Sequence, residues 1–307
     1  MHSYLIRRLA SAIPTLFVIV TITFFMMRVA PGGPFDTDRQ LQPEIEANIL
    51  RAYNLDKPLV WQYFDYVGDL LQGDFGPSFK FRDFDVNDLI AAGLPASLQL
   101  GGMAIFLAIV IGVSLGVLAA LRQNQGSDYA IMSVAMVGIA VPNFVMAPLL
   151  TLVFGVYLSW LPVAGWGGGA MINKLLPVVA LALPQVAYIA RLTRGSMVEV
   201  LNANYVRTAR AKGLREQLVV VRHSLKGALL PVVSYLGPAA AGLVTGSVVI
   251  ETIFDIPGIG RYFVQGALNR DYTLVMGVII VYGSLIILLN LVVDVVYGYL
   301  DPKVRYD

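Results

Sequence analysis

Few side chains in this chain could do covalent or metal chemistry. Cysteine is absent and histidine occurs only at His2 and His223, which excludes a disulfide framework, a cysteine nucleophile, a thiolate metal site and an imidazole-rich metal centre. The dipeptide Gly-Lys occurs nowhere, so no G-x-x-x-x-G-K-[ST] loop exists to cradle a nucleotide's phosphates. A G-x-S-x-G elbow and an H-E-x-x-H helix are also missing, and the carboxylates show no catalytic pairing. What remains is a basic stretch, Asn202-Ala-Asn-Tyr-Val-Arg-Thr-Ala-Arg-Ala-Lys-Gly-Leu-Arg215, and three ionisable groups in apolar surroundings, Arg28, Glu251 and Asp294. Each of the three lies near the end of an apolar run, where snorkelling or interfacial solvation explains it; a proton-relay or ion-site role is the sharper alternative.

The elements that position these residues are membrane spans. Of the 307 residues, 57% are hydrophobic and 14% charged, and the mean hydropathy is +0.70, values outside the range of a soluble globular domain. Crossing a hydrocarbon layer of ~30 Å takes about 20 apolar residues. Six such runs are expected: Leu9 to Val29, Leu98 to Leu121, Tyr129 to Tyr157, Leu175 to Ala190, Ala228 to Ile250 and Tyr272 to Val293. The fourth is short, lying between Lys174 and Arg191, so a snorkelling Lys174 or a re-entrant segment must account for it. The first run is longer than a signal-peptide core and lacks a small-x-small site, so it reads as a retained span. With both termini cytoplasmic, the inside segments carry 13 Lys+Arg against 6 Asp+Glu and the outside ones 9 against 14, as the positive-inside rule requires.

Two segments project from the spans. The outer one, Pro31 to Pro95, is acidic, with a helix-compatible stretch from Pro43 to Tyr53 and aromatics at Trp61, Tyr63, Phe64 and Tyr66, a content that favours a small folded cap over a solvated loop. The inner one, Arg191 to Gly227, reads as helix, turn, helix. The expected division is 1–30 for the N-terminal end and first span, 31–95 for the cap, 96–301 for the remaining spans with the inner loop at 191–227, and 302–307 for the C-terminus. Pro142, Asn143 and Pro148 should interrupt the third span, and Pro177 and Pro184 the fourth; such breaks are tolerated where helices line a cavity or pathway, although prolines are common in membrane helices anyway. Gly112-Val-Ser-Leu-Gly116 is a small-xxx-small pattern that allows close helix approach. No span carries a charge at its centre, which argues against a proton- or ion-coupled carrier.

In the inner loop, Asn202 or Asn204 can cap a short helix that Gly213 stops, with Thr208, Ala209 and Ala211 interleaved among Arg207, Arg210 and Lys212. Small residues on one side could seat in a partner's groove while the cations meet acidic groups there; a basic loop lying on anionic lipid is the other reading. The run Tyr205-Val-Arg-Thr-Ala-Arg-Ala-Lys-Gly213, followed by Arg222-His-Ser-Leu-Lys-Gly-Ala-Leu-Leu-Pro231, resembles the coupling loop of binding-protein-dependent ABC importer permeases in its peptide-transporter form. Arg207, Thr208 and Ala209 stand where the general pattern has Glu-Ala-Ala, and Gly213 is retained. Ile6 to Thr15, Arg28 to Gly32, Gly73 to Ser78, Ile189 to Met197 and Glu251-Thr-Ile-Phe-Asp-Ile-Pro-Gly-Ile-Gly260 are similar to the first permease subunit of bacterial oligopeptide importers. The resemblance covers nearly the whole chain.

It implies an all-α membrane protein of the type I ABC importer permease fold, with six transmembrane helices and an extracytoplasmic cap between the first two. It implies a multi-pass subunit of the bacterial inner membrane, forming half of an oligopeptide pathway and binding no cofactor, metal or nucleic acid. A homologous second permease, two ATP-binding subunits that use ATP-Mg and an extracytoplasmic peptide-binding protein would be its partners. Tyr205, Val206, Arg207, Thr208, Ala209, Arg210, Ala211, Lys212 and Gly213 would then be the ATPase-coupling loop, Pro142, Asn143, Pro148 and Pro184 the pathway or helix-break candidates, and Glu251, Pro257, Gly258 and Gly260 a membrane-edge motif. Dipeptides, nickel chelates or another small solute are alternative cargoes. A self-sufficient secondary transporter, whose uptake would persist without ATP-binding partners, and a flux-free scaffold or receptor are the alternatives of other classes.

Overall fold

The computed structural model describes residues 2–29, 33, 43–81 and 83–300. Among these, helices dominate; the one extended pairing is an isolated antiparallel bridge between Pro77 and Asp85. Residues 31–42 apart from Gly33, which begin the expected cap, and the expected C-terminal segment 302–307 lie outside the described residues. Four helices are long and apolar enough to cross a bilayer unbroken: α1 (His2–Val29), α4 (Val86–Leu121), α7 (Met171–Leu201) and α13 (Tyr272–Leu300). Between them lie α2 (Pro43–Ala52), α3 (Leu59–Leu71), α5 (Gly126–Ala140), α6 (Asn143–Leu150), α8 (Asn204–Ala211), α9 (Glu216–Leu218), α10 (Leu225–Ala228), α11 (Leu230–Ile253) and α12 (Ile259–Asn269). A π-helical stretch, Thr151–Tyr157, continues α6, and another, Val219–Ser224, joins α9 to α10.

Two expectations about the spans change. The third expected span is two helices, α5 and the α6 stretch, bent by 106° at Val141 and Pro142. Proline at the first positions of a helix loses no hydrogen bond, so the chain can restart there in a new direction. The fourth is neither short nor re-entrant: α7 runs 31 residues through both Pro177 and Pro184. Lys174 does not snorkel. It is 8% exposed, its Nζ donates to Gln99 Oε1 at 2.9 Å, and it stands 4.7 Å from the centre of the Trp166 ring, so the chain itself solvates the charge. Pro148 likewise sits inside α6 without ending it. With α5 and α6 counted as one span and α11, which bends by 43° between Leu243 and Ser247, as another, there are six.

The core is built on α7, which packs against α4, α6 and α11 through Leu100, Ala147, Leu181, Ile189 and Ile250 and against α5 through Ala135, Ala187 and Ala190. The small-xxx-small pattern supplies its closest approach. A Cβ on Gly112 would lie 2.8 Å from Ile189, and one on Gly116 would lie 2.5 Å from Thr193 Cβ and 2.6 Å from the Ala190 carbonyl. Both glycines are therefore needed for these backbones to meet at this distance. At the other end, α4 starts at Val86 rather than Leu98 and at 36 residues is about 54 Å long, well beyond the hydrocarbon layer.

That overhang joins the cap. Tyr63 and Tyr66 of α3 turn inward against Phe24, with ring centroids 5.4 and 5.9 Å away, while Trp61 and Phe64 stay exposed. Buried Asp271, just before α13, accepts hydrogen bonds from Ser78 Oγ at 2.5 Å and from the Phe79 amide at 3.1 Å, fastening the segment that precedes α4. Gly116→Ala should cost about 1–3 kcal/mol through overpacking of α4 on α7, whereas Gly101→Ala, which meets nothing within 4 Å, should be neutral or stabilising. Thermal unfolding of the two purified variants checks this; equal midpoints would contradict the close packing.

Candidate functional site

The basic stretch is placed by the end of α7. Asn202 caps α7 rather than α8, its Nδ2 donating to the Val198 carbonyl at 2.8 Å, and Ala203, in extended conformation, occupies the N-cap position of α8 with no side-chain bond. Neither asparagine therefore plays the N-cap role expected of it. The α8 helix starts because the Ala203 carbonyl accepts from both Val206 N and Arg207 N at 3.1 Å. It stops as expected at Gly213, whose φ of +77° favours glycine.

Burial divides the candidate loop residues into two faces. Val206 and Ala209 are buried, and with Val219 they form a small core joined by Val200, Ala203 and Leu214. Tyr205, Arg207, Thr208, Arg210, Ala211 and Lys212 are exposed. The expected small-residue face is thus split: Ala209 seats the helix on its own chain, and Thr208 and Ala211 face outward. Arg210 is engaged by its own loop. Its Nη2 and Nε reach Glu216 at 2.6 and 3.1 Å and its Nη1 reaches the Leu201 carbonyl at 3.3 Å, and this hydrogen bonding holds the Glu216 carboxyl below the usual carboxylate range. Arg207 and Lys212 make no ion pair among the described residues, so they are the outward cations.

One ion pair that holds this end together is not apparent from local sequence. Asp128, at the start of α5, is fully buried; Arg194 Nε and Nη2 each donate to it at 2.6 Å, and the Asn124 amide donates at 2.9 Å. This bidentate clasp ties α5 to α7 about two turns before α7 ends. The two residues are 66 positions apart, so no local spacing announces the pair.

At the cap end, Glu251 is completely buried, which replaces interfacial solvation as the reason for its position. Its Oε2 accepts from the Gly260 amide at 2.8 Å, and Ser97 Oγ accepts from the Ile259 amide at 3.0 Å. A carboxylate and a hydroxyl thus satisfy the first amides of α12, where the helix dipole favours negative charge. Gly258 and Gly260 leave the room: a Cβ on Gly258 would fall 2.6 Å from Ser97 Oγ, and one on Gly260 would lie 2.8 Å from Glu251 Oε2. Pro257 can stand in this turn because the turn's own bonds are made by the Ile256 and Gly258 amides. Asp294 pairs with Arg8 at 2.8 Å, joining α13 to α1, and Arg28 lies over the rings of Phe24 and Tyr272. The break at Pro142 and Asn143 lies between α5 and α6, both packed on α7, and Pro184 lies within α7 itself. Among the described residues, no cluster of metal-ligating side chains occurs.

The family model "Binding-protein-dependent transport system inner membrane component" matches residues 112–306, and the model for the N-terminal part of such components matches residues 1–100. The oligopeptide transport system permease protein OppB of Escherichia coli (strain K12) is 56% identical over 306 residues, covering 100% of both chains. The protein of the same name from Haemophilus influenzae is 52% identical, also over 100% of both. The dipeptide transport system permease protein DppB of Bacillus subtilis (strain 168) is 45% identical, covering 99% of this chain and 98% of that one. A solved structure of the MetNI methionine ABC transporter in inward-facing conformations superposes with a TM-score of 0.55 at 20% identity, covering 69% of this chain and 96% of that one; the likeness is one of fold, that of type I ABC importer permeases.

The Asp128–Arg194 clasp yields a quantitative expectation. Asp128→Ala leaves the Arg194 guanidinium, whose side chain is 29% exposed, without its partner and should cost about 1.5–3 kcal/mol. In a double-mutant cycle with Arg194→Ala, the coupling energy should exceed about 1.5 kcal/mol. Additive losses in chemical unfolding would show that the pair does not hold α5 to α7.

Proposed function

The chain belongs to the family of binding-protein-dependent transport system inner membrane components, and on that premise we propose that it is the permease subunit forming half of an oligopeptide pathway. The observation that carries the cargo is its 56% identity over full length to an oligopeptide permease, against 45% to a dipeptide permease. It is a multi-pass inner-membrane protein. On our reading it works beside a homologous second permease, with one of two ATP-binding subunits docked on α8 and an extracytoplasmic peptide-binding protein docked at the cap end. Both termini then face the cytoplasm, which puts the basic loop on the side where ATP is available.

The mechanism follows from how α8 is held. A partner that binds the outward face of Tyr205, Arg207, Thr208, Ala211 and Lys212 pushes on a helix seated on its own chain through Val206 and Ala209. The push passes through the single extended residue Ala203 into α7, which is clasped to α5 by Asp128 and packed on α4 at Gly112 and Gly116. Because packed interfaces move between discrete arrangements and do not deform continuously, closure of the ATP-binding subunits would move these helices as a body and open the pathway to the other side. No step of this needs chemistry from the permease, in keeping with the absence of a P-loop.

The test is uptake by the reconstituted assembly. Thr208→Glu, on the exposed face, should reduce ATP-driven tri-alanine uptake at least tenfold while membrane insertion and thermal stability stay as in the wild type. Gly213→Arg should uncouple ATP hydrolysis from uptake by straining the left-handed stop as well as by its bulk. Full uptake by both variants, or uptake that persists without the ATP-binding subunits, would overturn the assignment.

A further inference from the structure

The cap end holds a polar cluster that neither the coupling loop nor the α12 cap uses. Between the end of α1, the inner side of α3 and residues 75–79 lies a cavity of about 130 Å³. Three side chains on its wall carry buried polar atoms without a hydrogen-bond partner among the described residues: Arg28 Nε, Gln62 Oε1 and Tyr66 Oη. Gln62 and Tyr66 are only 9% and 8% exposed. The orientation of Gln62 follows from its bonds, because its amide nitrogen donates to the Leu55 and Lys57 carbonyls at 3.0 and 2.7 Å, which makes the free atom the oxygen. Burial raises the Tyr66 hydroxyl, which therefore keeps its proton and can donate. Arg28 rests on the Phe24 and Tyr272 rings, 5.1 and 5.8 Å from their centres, and forms no ion pair among the described residues. Of the two wall carboxylates, Asp65 is held by Lys57 at 2.6 Å, and Asp69 is exposed.

These groups specify a ligand. A guanidinium N–H beside a phenolic O–H suits a charged acceptor, and a buried, unpartnered amide oxygen on the same wall suits a hydrogen-bond donor. An inorganic anion without a proton to donate would leave Gln62 unmet, and an amine or a sugar would leave the guanidinium uncompensated. The free carboxyl end of a peptide carries both parts, a carboxylate and the amide N–H of the same residue. We propose that this cavity binds the carboxyl-terminal residue of a peptide, with Arg28 and Tyr66 donating to the carboxylate and Gln62 accepting from the adjacent N–H. The assignment of a peptide rests on the transport reading above. At about 130 Å³ the space admits one small residue, so the body of the peptide extends outward past the α3 rim.

The experiment uses the full-length chain assembled with its partner permease in lipid nanodiscs, with tri-alanine, tri-alanine amide and acetate as probes, and calorimetric binding as the readout. Tri-alanine should bind, its amide at least tenfold more weakly, and acetate more weakly than tri-alanine. Arg28→Gln should lower tri-alanine affinity at least tenfold. Tyr66→Phe removes only a hydroxyl that has no partner among the described residues, so it should fold and melt as the wild type does while losing affinity about fivefold. Equal binding of peptide and amide, no binding by the wild type, or unchanged affinity in both variants would overturn the site and leave a cavity that is merely hydrated. Uptake by the wild-type assembly is measured in parallel. Uptake without binding overturns the site alone, whereas binding without uptake supports the site and overturns the transport reading.

Discussion

Where Gly112 and Gly116 lie against Ile189, Thr193 and the carbonyls of Val186 and Ala190, α4 and α7 meet with almost no side chain between them. In a bilayer, apolar side chains gain little from leaving lipid for protein, so association depends on close packing and on hydrogen bonds that lipid cannot supply. This contact provides the first, and the Asp128–Arg194 clasp beside it provides the second. Together they make α7 the most enclosed of the unbroken spans. A helix so held can carry two in-line prolines without breaking, and what happens at its end is passed to its neighbours.

Both ends of the molecule use the same device, a short helix fixed by a few buried contacts at the end of a long one. At the loop end, Val206 and Ala209 anchor α8 and leave a polar face outward. At the cap end, Glu251, Ser97 and two glycines fix the start of α12, while Asp271 gathers the strap that leads into α4. The difference is in what faces out. The loop end offers cations on a single exposed helix, suited to a protein partner; the cap end offers a walled polar cavity, suited to a small group.

Much of this was legible in the residues. Apolar runs gave the spans because length and the lack of charge are what a bilayer selects, and the glycine at Gly213 marked the end of α8 because few other residues adopt its backbone. Pro142 correctly signalled a break, but composition does not encode an angle, so the 106° turn was invisible. Lys174 made α7 look short only because Gln99 and Trp166, which accommodate its charge, come from elsewhere in the chain. Glu251 read as a carboxylate at a membrane edge, since nothing in its neighbourhood reveals that Gly258 and Gly260 vacate the space it fills. The inner face of α8 was misjudged for a related reason: a small residue such as Ala209 suits a partner's groove and its own core equally well.

The central claim is that force enters through the outward face of α8 and not through its buried side. Because the chain contains no cysteine, Thr208→Cys and Val206→Cys each give a single reporter. In inside-out vesicles, a membrane-impermeant maleimide should label Thr208→Cys readily in the permease pair alone and at least tenfold more slowly once the ATP-binding subunits are assembled, with Val206→Cys unreactive in both states. Equal labelling of Thr208→Cys with and without those subunits would contradict the claim.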